Sequence, residues 1–186
     1  MYASSSLRNY IEDLAAKKPA PGGGSAAALN AALGVSLISM VANFTTGKPK
    51  YAKYEAEINN ILKKSDKLRN DFLSMVDLDV KAYQSRDPRK AMEVPFMLCR
   101  LCLEGVKLCL PLIKKGNTNL ISDVAVAAIM LESAFACGYF NVAINLKFIN
   151  DKSLAGKIRR ELDAKQKTIK RIRKTTEEQV GKIIRG

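Results

Sequence analysis

Histidine and tryptophan are absent from this 186-residue chain, and aromatic residues supply only 6% of it. The missing imidazole bears first on the cysteines. Cys99-x-x-Cys102 has the spacing of a metal or redox pair, but a zinc site needs a second ligand pair. Cys109 and Cys137 form no second CxxC, and no histidine can stand in for one. No metal is expected, and the thiols read as small buried hydrophobes on a helix. An apolar leader is also missing, because MYASSSLRNYIEDL lacks the hydrophobic run of a signal peptide. The expected setting is reducing and cytoplasmic. Sustained strand-like alternation is lacking throughout. Charge is lacking locally: no residue from Pro19 to Gly47 carries one. That length would span a bilayer, yet Ala, Gly, Ser and Asn dominate it. The stretch reads as a core helix, with no membrane partner.

Helical spacing is what the chain does contain. Apolar residues make up 47% of it, which suits one globular domain over residues 1–186. Helix one is expected over about Ser5–Ala16, with Leu7, Tyr10, Ile11 and Leu14 on one side, ended by Pro19 and Pro21. Helix two starts near Ser25, a good N-cap residue, and runs to about Phe44. Helix three spans about Lys50–Arg86, on a seam that includes Ile58, Ile61, Ser65, Leu68, Phe72, Met75, Val76, Asp79, Ala82 and Tyr83. Helix four follows Met92, Phe96, Cys99, Leu103, Val106, Leu110 and Ile113, with Pro95 in its first turn and Pro111 ending or kinking it. Helix five runs about Ile121–Ile149, on a row of Ala127, Met130, Ala134, Cys137, Ile144 and Phe148. A basic amphipathic helix fills residues 151–186. The expected fold is all-α, a single-domain bundle of about six helices.

Lys and Arg outnumber Asp and Glu by 31 to 18, a net charge of +13, and +8 of this falls from Lys147 onward. A surplus of this size suits an anionic partner. Nucleic acid or an acidic surface on the basic C-terminal helix is one reading. No aromatic residue follows Phe148, however, so base stacking is unsupported. A solvated charged face is the plainer account, and nucleic acid is not the expected partner.

Polar groups on apolar seams carry more information, because burying them without partners is costly. Asp79 falls on the helix-three seam, while Asp77 is expected to face outward by the helical period. Asp79 is then a candidate for proton transfer or ligand orientation, or else a structural aspartate. Asp123 stands at the start of helix five, where the dipole alone would favour it. Asn117 and Asn119 suit turns and caps. Asn141 and Asn145 interrupt an apolar helix and need partners. A cluster of Asp79, Asp123, Asn117 and Asn141 is what a small polar ligand would need. The stretch PAPGGGSAAAL fits no phosphate loop, since it lacks both G-x-x-x-x-G-K-[ST] and G-x-G-x-x-G spacing. It reads either as a tight turn or as a bare backbone at a helix N-terminus, open to a ligand oxygen.

Three stretches in order, PAPGGGSAAALNAALGVSLISMVANFTTGKPKY, MVDLDVKAY and GNTNLISDVAVAAIMLESAFACGYFNVAINLKFIND, resemble the formiminotetrahydrofolate cyclodeaminase and methenyltetrahydrofolate cyclohydrolase family. The likeness covers about Leu7–Asp151. It implies an all-helical homodimer acting, without metal, on a tetrahydrofolate one-carbon adduct, with or without a polyglutamate tail. Pro21, Gly22, Gly23, Gly24 and Ser25 would form the ligand-facing turn. Asp79 would be the helix-three carboxylate, and Asn117, Asn119 and Asp123 the loop-and-helix set. Asp79 and Asp123 are the expected catalytic residues: one moves protons, and the other holds the pterin. The reaction is either opening of the 5,10-methenyl bridge by water or its closure with loss of ammonia. The lack of a transferase segment in the chain tilts slightly toward hydrolysis, but the sequence does not decide between the two. The alternatives are a folate-binding dimer without turnover, or binding of nucleic acid or an acidic surface by the basic helix.

Overall fold

Ser6 opens the first helix by accepting the Asn9 N–H at 3.1 Å, and α1 runs Leu7–Ala15 in the computed structural model, which describes residues 1–186. Tyr10 alone of the expected apolar side is buried; Leu7 and Ile11 stay exposed. After a cis Ala20–Pro21 peptide, α2 spans Gly23–Asn43 with Gly22 at its N-cap position. Ser25 is therefore not the cap it was expected to be. It is fully buried inside the first turn, and its hydroxyl donates to the Val76 carbonyl at 2.9 Å. A 3-10 stretch, Pro49–Tyr54, leads into α3, Glu55–Gln84.

Asp87 caps α4 (Pro88–Lys107) by accepting the Arg89 N–H. Pro88, not Pro95, occupies the first turn; Pro95 lies inside the helix. The rod breaks at Leu108 and resumes as α5, Cys109–Lys115. Pro111 explains the break, because it has no N–H to offer the Lys107 carbonyl four residues back. A short 3-10 turn, Thr118–Leu120, precedes α6 (Ile121–Leu146), and α7 (Lys152–Arg185) closes the chain. Counted with α4–α5 as one broken rod, these are the six helices expected.

α2 lies at the centre, between α3 and α6, and α6 in turn packs on α4 and α7. Its small residues make this possible. Ala27, Ala28, Ala31 and Ala32 are buried. A β-carbon at Gly34 would stand 3.1 Å from that of Met130 and 3.3 Å from the Ala127 carbonyl, so only glycine lets α6 come this close without a shift. The two helices run antiparallel: Gly23 lies beside Asn141, and the Asn30 amide donates to the Met130 carbonyl at 3.1 Å. Both are long and apolar enough to cross a membrane by length and composition, but the α2 window is mostly buried within the bundle.

The buried row of α6 is Val124, Ala127, Ala128, Leu131, Ala134, Phe135, Gly138 and Val142. The expected row is only partly inside, since Cys137, Ile144 and Phe148 are exposed. On α7, Ala155, Ile158, Leu162, Ile169, Ile172 and Val180 face the core. Bidentate Arg100–Glu161 and Tyr139–Asp163 contacts tie α7 to α4 and α6. Cys99, Cys102 and Cys109 are buried, and burial pushes the thiols of Cys99 and Cys109 up to about 12. They behave as packing groups.

The largest departure from the periodic reading is Asp77. It is buried rather than outward-facing, because the N-terminal turn Tyr2–Ser4 folds over it. Its carboxylate accepts the backbone N–H groups of Tyr2 and Ala3. Replacing it strands those donors, which costs about 1–3 kcal/mol. Asp77→Ala is expected to lower the denaturation midpoint and to speed amide exchange at residues 1–4, as read by hydrogen exchange.

Candidate functional site

Gly24 begins the site. A β-carbon there would fall 2.1 Å from Asp79 Oδ1 and 2.6 Å from its Cγ. The α3 carboxylate thus lies directly on the first turn of α2, and only a residue without a side chain permits the contact. Gly23, one residue earlier, is open on that side, with the Asn141 amide 3.6 Å from its would-be β-carbon. The glycine run is needed for close approach, as well as for the turn itself.

Asp79 is half-buried and takes part in none of the ion pairs of the molecule. Burial raises its pKa above the ordinary carboxylate range; the Ser25 backbone N–H, turned toward it, opposes this only in part. Behind it, the Tyr10 hydroxyl meets the Ser25 hydroxyl at 3.1 Å, and burial raises the Tyr10 phenol as well. The carboxylate is therefore held by neutral groups, with no cation to compensate it. A group in that state favours either a proton or a cationic ligand.

Around it lies a cleft of about 330 Å³ lined by Pro19, Ala20, Gly22–Gly24, Asp79, Val80, Tyr83, Ala91, Asn141, Ile144 and Asn145. Asn141 donates to the Cys137 carbonyl, and Asn145 donates to the carbonyls of Ala91 and Asn141. The Asn145 side chain thus joins α6 to α4, and the Asn141 side-chain amide lies beside Gly23, with Nδ2 3.6 Å and Oδ1 3.7 Å from its would-be β-carbon. Tyr83 stands one turn beyond Asp79 on α3, a spacing visible in the sequence once Asp79 is taken as the reference. Val80 and Ala91 carry no signal that would have marked them.

The other expected residues lie elsewhere. Asn117 is buried at the far end of α2: its N–H donates to Thr45 Oγ1 at 2.8 Å, and its amide donates to the Phe44 carbonyl at 3.0 Å. Its side-chain oxygen accepts the Asn119 N–H. Asp123 follows in the first turn of α6, half-exposed and without a hydrogen bond or ion pair in the chain. Eighteen residues of α6 separate Asp123 from Asn141, about 27 Å along the axis. Within one chain the expected polar cluster is therefore two groups at opposite ends of the same helix pair. No three His, Cys, Asp or Glu side chains converge to hold a metal ion.

The all-helical fold and the sequence that builds this site have known relatives. A model of the family described as formiminotransferase-cyclodeaminase matches residues 6–87 and 85–164. A methenyltetrahydrofolate cyclohydrolase of Methylorubrum extorquens is 33% identical, over 88% of this chain and 89% of that protein. The formimidoyltransferase-cyclodeaminase of Rattus norvegicus is 30% identical over 86% of this chain, which spans only 34% of the rat protein. A crystal structure of formiminotetrahydrofolate cyclodeaminase from Thermotoga maritima matches with a TM-score of 0.91 at 27% identity, covering 99% of this chain and 100% of that one. The chain belongs to the formiminotransferase-cyclodeaminase family.

Two outcomes follow from this geometry. Gly24→Ala forces Asp79 aside and is expected to cost activity heavily, whereas Gly23→Ala fits and is expected to be mild; parallel assays of the two variants check this. For Asp79, a folded pKa above the unfolded one means the native state holds its proton more tightly. Stability is then greatest below the ordinary carboxylate range and falls as pH rises through the raised value. Asp79→Asn removes that loss. It is expected to be at least as stable as wild type at neutral pH, with the difference shrinking toward acid, as measured by denaturant titration at stepped pH. A variant less stable at neutral pH would make the carboxylate a structural cap.

Proposed function

We propose that this protein is a folate one-carbon enzyme that opens or closes the 5,10-methenyl bridge of tetrahydrofolate, working as a cytoplasmic homodimer. The observation that carries the reading is Asp79, half-buried and without an ion pair, pressed against the bare backbone of Gly24 beside Gly23. In bridge opening, water adds to the amidinium-like carbon, the bond from that carbon to N5 breaks, and 10-formyltetrahydrofolate leaves. In closure, N10 attacks the formimino carbon on N5 and ammonia departs. Both reactions place a cation at the same carbon and need a proton moved on nitrogen or water. One carboxylate of raised pKa serves both needs, as proton carrier and as counter-charge. The net charge of +13 favours approach of an anionic folate.

The homodimer accounts for the two separated groups. Asn30, Leu33, Leu37, Met40 and Phe44 recur at steps of three and four along α2, with Leu33 and Phe44 exposed and the other three half-buried. Val126, Ile129, Ser133, Cys137, Phe140 and Ile144 do the same along α6. Leu33 is 52% exposed and Phe140 74%, and no residue of either stripe is charged. Such a heptad-like seam suits a four-helix contact with a second copy. A twofold axis across the seam near Leu33 inverts the helix direction. It carries the Asn117–Asp123 end of one copy to the level of Asp79, Gly23 and Asn141 of the other. The candidate catalytic pair is then Asp79 from one protomer and Asp123 from its partner.

The methenyl chromophore is the direct test. Its loss on hydrolysis marks the cyclohydrolase, and its appearance from 5-formiminotetrahydrofolate with ammonia marks the cyclodeaminase; the absence of both changes overturns the reading. Asp79→Asn and Asp123→Asn are each expected to lose on the order of a hundredfold in turnover. Mixing the two inactive variants is expected to restore a substantial part of the activity, because half of the sites in the mixed dimer recover both aspartates. If mixing restores nothing while mixed dimers form, the shared site is wrong.

A further inference from the structure

The cleft at Asp79 does not end at Tyr83. A second cavity of about 470 Å³ shares Pro19, Tyr83, Ala91 and Asn145 with it and continues to Arg86 and Phe148. Tyr83 is 58% exposed and Phe148 67%, and neither ring stacks on another aromatic side chain. Two large apolar rings left in water on the walls of one furrow are placed to take a flat group between them. Beyond them, Arg86 has no acidic partner. The neighbouring Asp87 carboxylate is engaged with the N–H groups of Arg89 and Lys90. Arg86 also sits in the left-handed region, at φ 55°, where the chain turns from α3 into α4. Side chains other than glycine visit that region at a cost of roughly 1–2 kcal/mol.

We infer that this annex is a recognition subsite for an arene carrying a carboxylate: the ring lies between Tyr83 and Phe148, and the carboxylate pairs with Arg86. The inference rests on the folate reading of the Asp79 cleft, and it identifies the part of the substrate held there as the p-aminobenzoyl-glutamate arm. The order along the furrow fits. Tyr83 lies about 6 Å further along the axis of α3 than Asp79, and Arg86 follows, so reacting carbon, ring and carboxylate come in the sequence found in the ligand. A guanidinium fork takes a carboxylate in two hydrogen bonds, which gives direction as well as affinity.

The test is calorimetric titration of p-aminobenzoyl-glutamate, and of p-aminobenzamide as the arene without carboxylates, into wild type, Arg86→Gln and the double variant Tyr83→Ala/Phe148→Ala. All three side chains are exposed, so the variants are expected to fold, and circular dichroism confirms it. Arg86→Gln is expected to weaken p-aminobenzoyl-glutamate about tenfold, a loss of one charged pair, and to leave p-aminobenzamide unchanged. The double variant is expected to weaken both. In turnover assays Arg86→Gln is expected to raise KM far more than it lowers kcat. If wild type binds and turns over folates but neither variant shifts either affinity, the annex is wrong and the folate reading stands. If wild type binds no folate at all, both fall together.

Discussion

Asp79 occupies the space where a β-carbon of Gly24 would be, and much of the molecule is arranged around that contact. A carboxylate can reach the first turn of a helix only if the backbone there is bare. The next turn must then be held by something other than the missing side chains. Ser25 does this from inside, through Val76 and Tyr10, so the turn is fixed from the core side and open on the other. The alanines that follow let α3 and α6 close around α2, which positions Asn141 and Asn145 at the same end.

The same economy of side chains leaves α2 and α6 with an outer face that is uncharged and apolar, while the rest of the surface is rich in lysine and arginine. The two candidate groups sit at opposite ends of that face because the helices are antiparallel. An arrangement in which the two ends meet needs two copies. On the other side of the bundle, α7 uses its apolar seam for packing and turns its cations to solvent, so the concentration of positive charge at the C-terminal end is a property of the surface of the fold.

Helix number, order and most boundaries were legible in the sequence, because spacing, prolines and caps act locally. The errors came where a distant segment decides. Asp77 has an outward period but is buried, since residues 2–4 cross over it. Ser25 has the chemistry of an N-cap, yet Gly22 takes that position because Ser25 is needed inside. Pro95 sits within α4 because Asp87 and Pro88 begin that helix earlier. At the site, Asp79 and the glycines were readable as a carboxylate on a seam and a bare helix start. Their contact was not, because it joins residues 55 apart in sequence. Tyr83 and Phe148 kept the helical period and so read as seam residues, yet both are exposed; Arg86 gave no signal, and only the folded cleft sets the three on one furrow.

The raised affinity of Asp79 for its proton has a consequence for how ligands are bound. A cationic ligand finds its counter-charge only in the ionised form of that carboxyl, so the upward shift narrows the pH range in which the counter-charge is present. Affinity for a cation will therefore rise with pH as the carboxyl ionises, while a neutral ligand will show no such dependence.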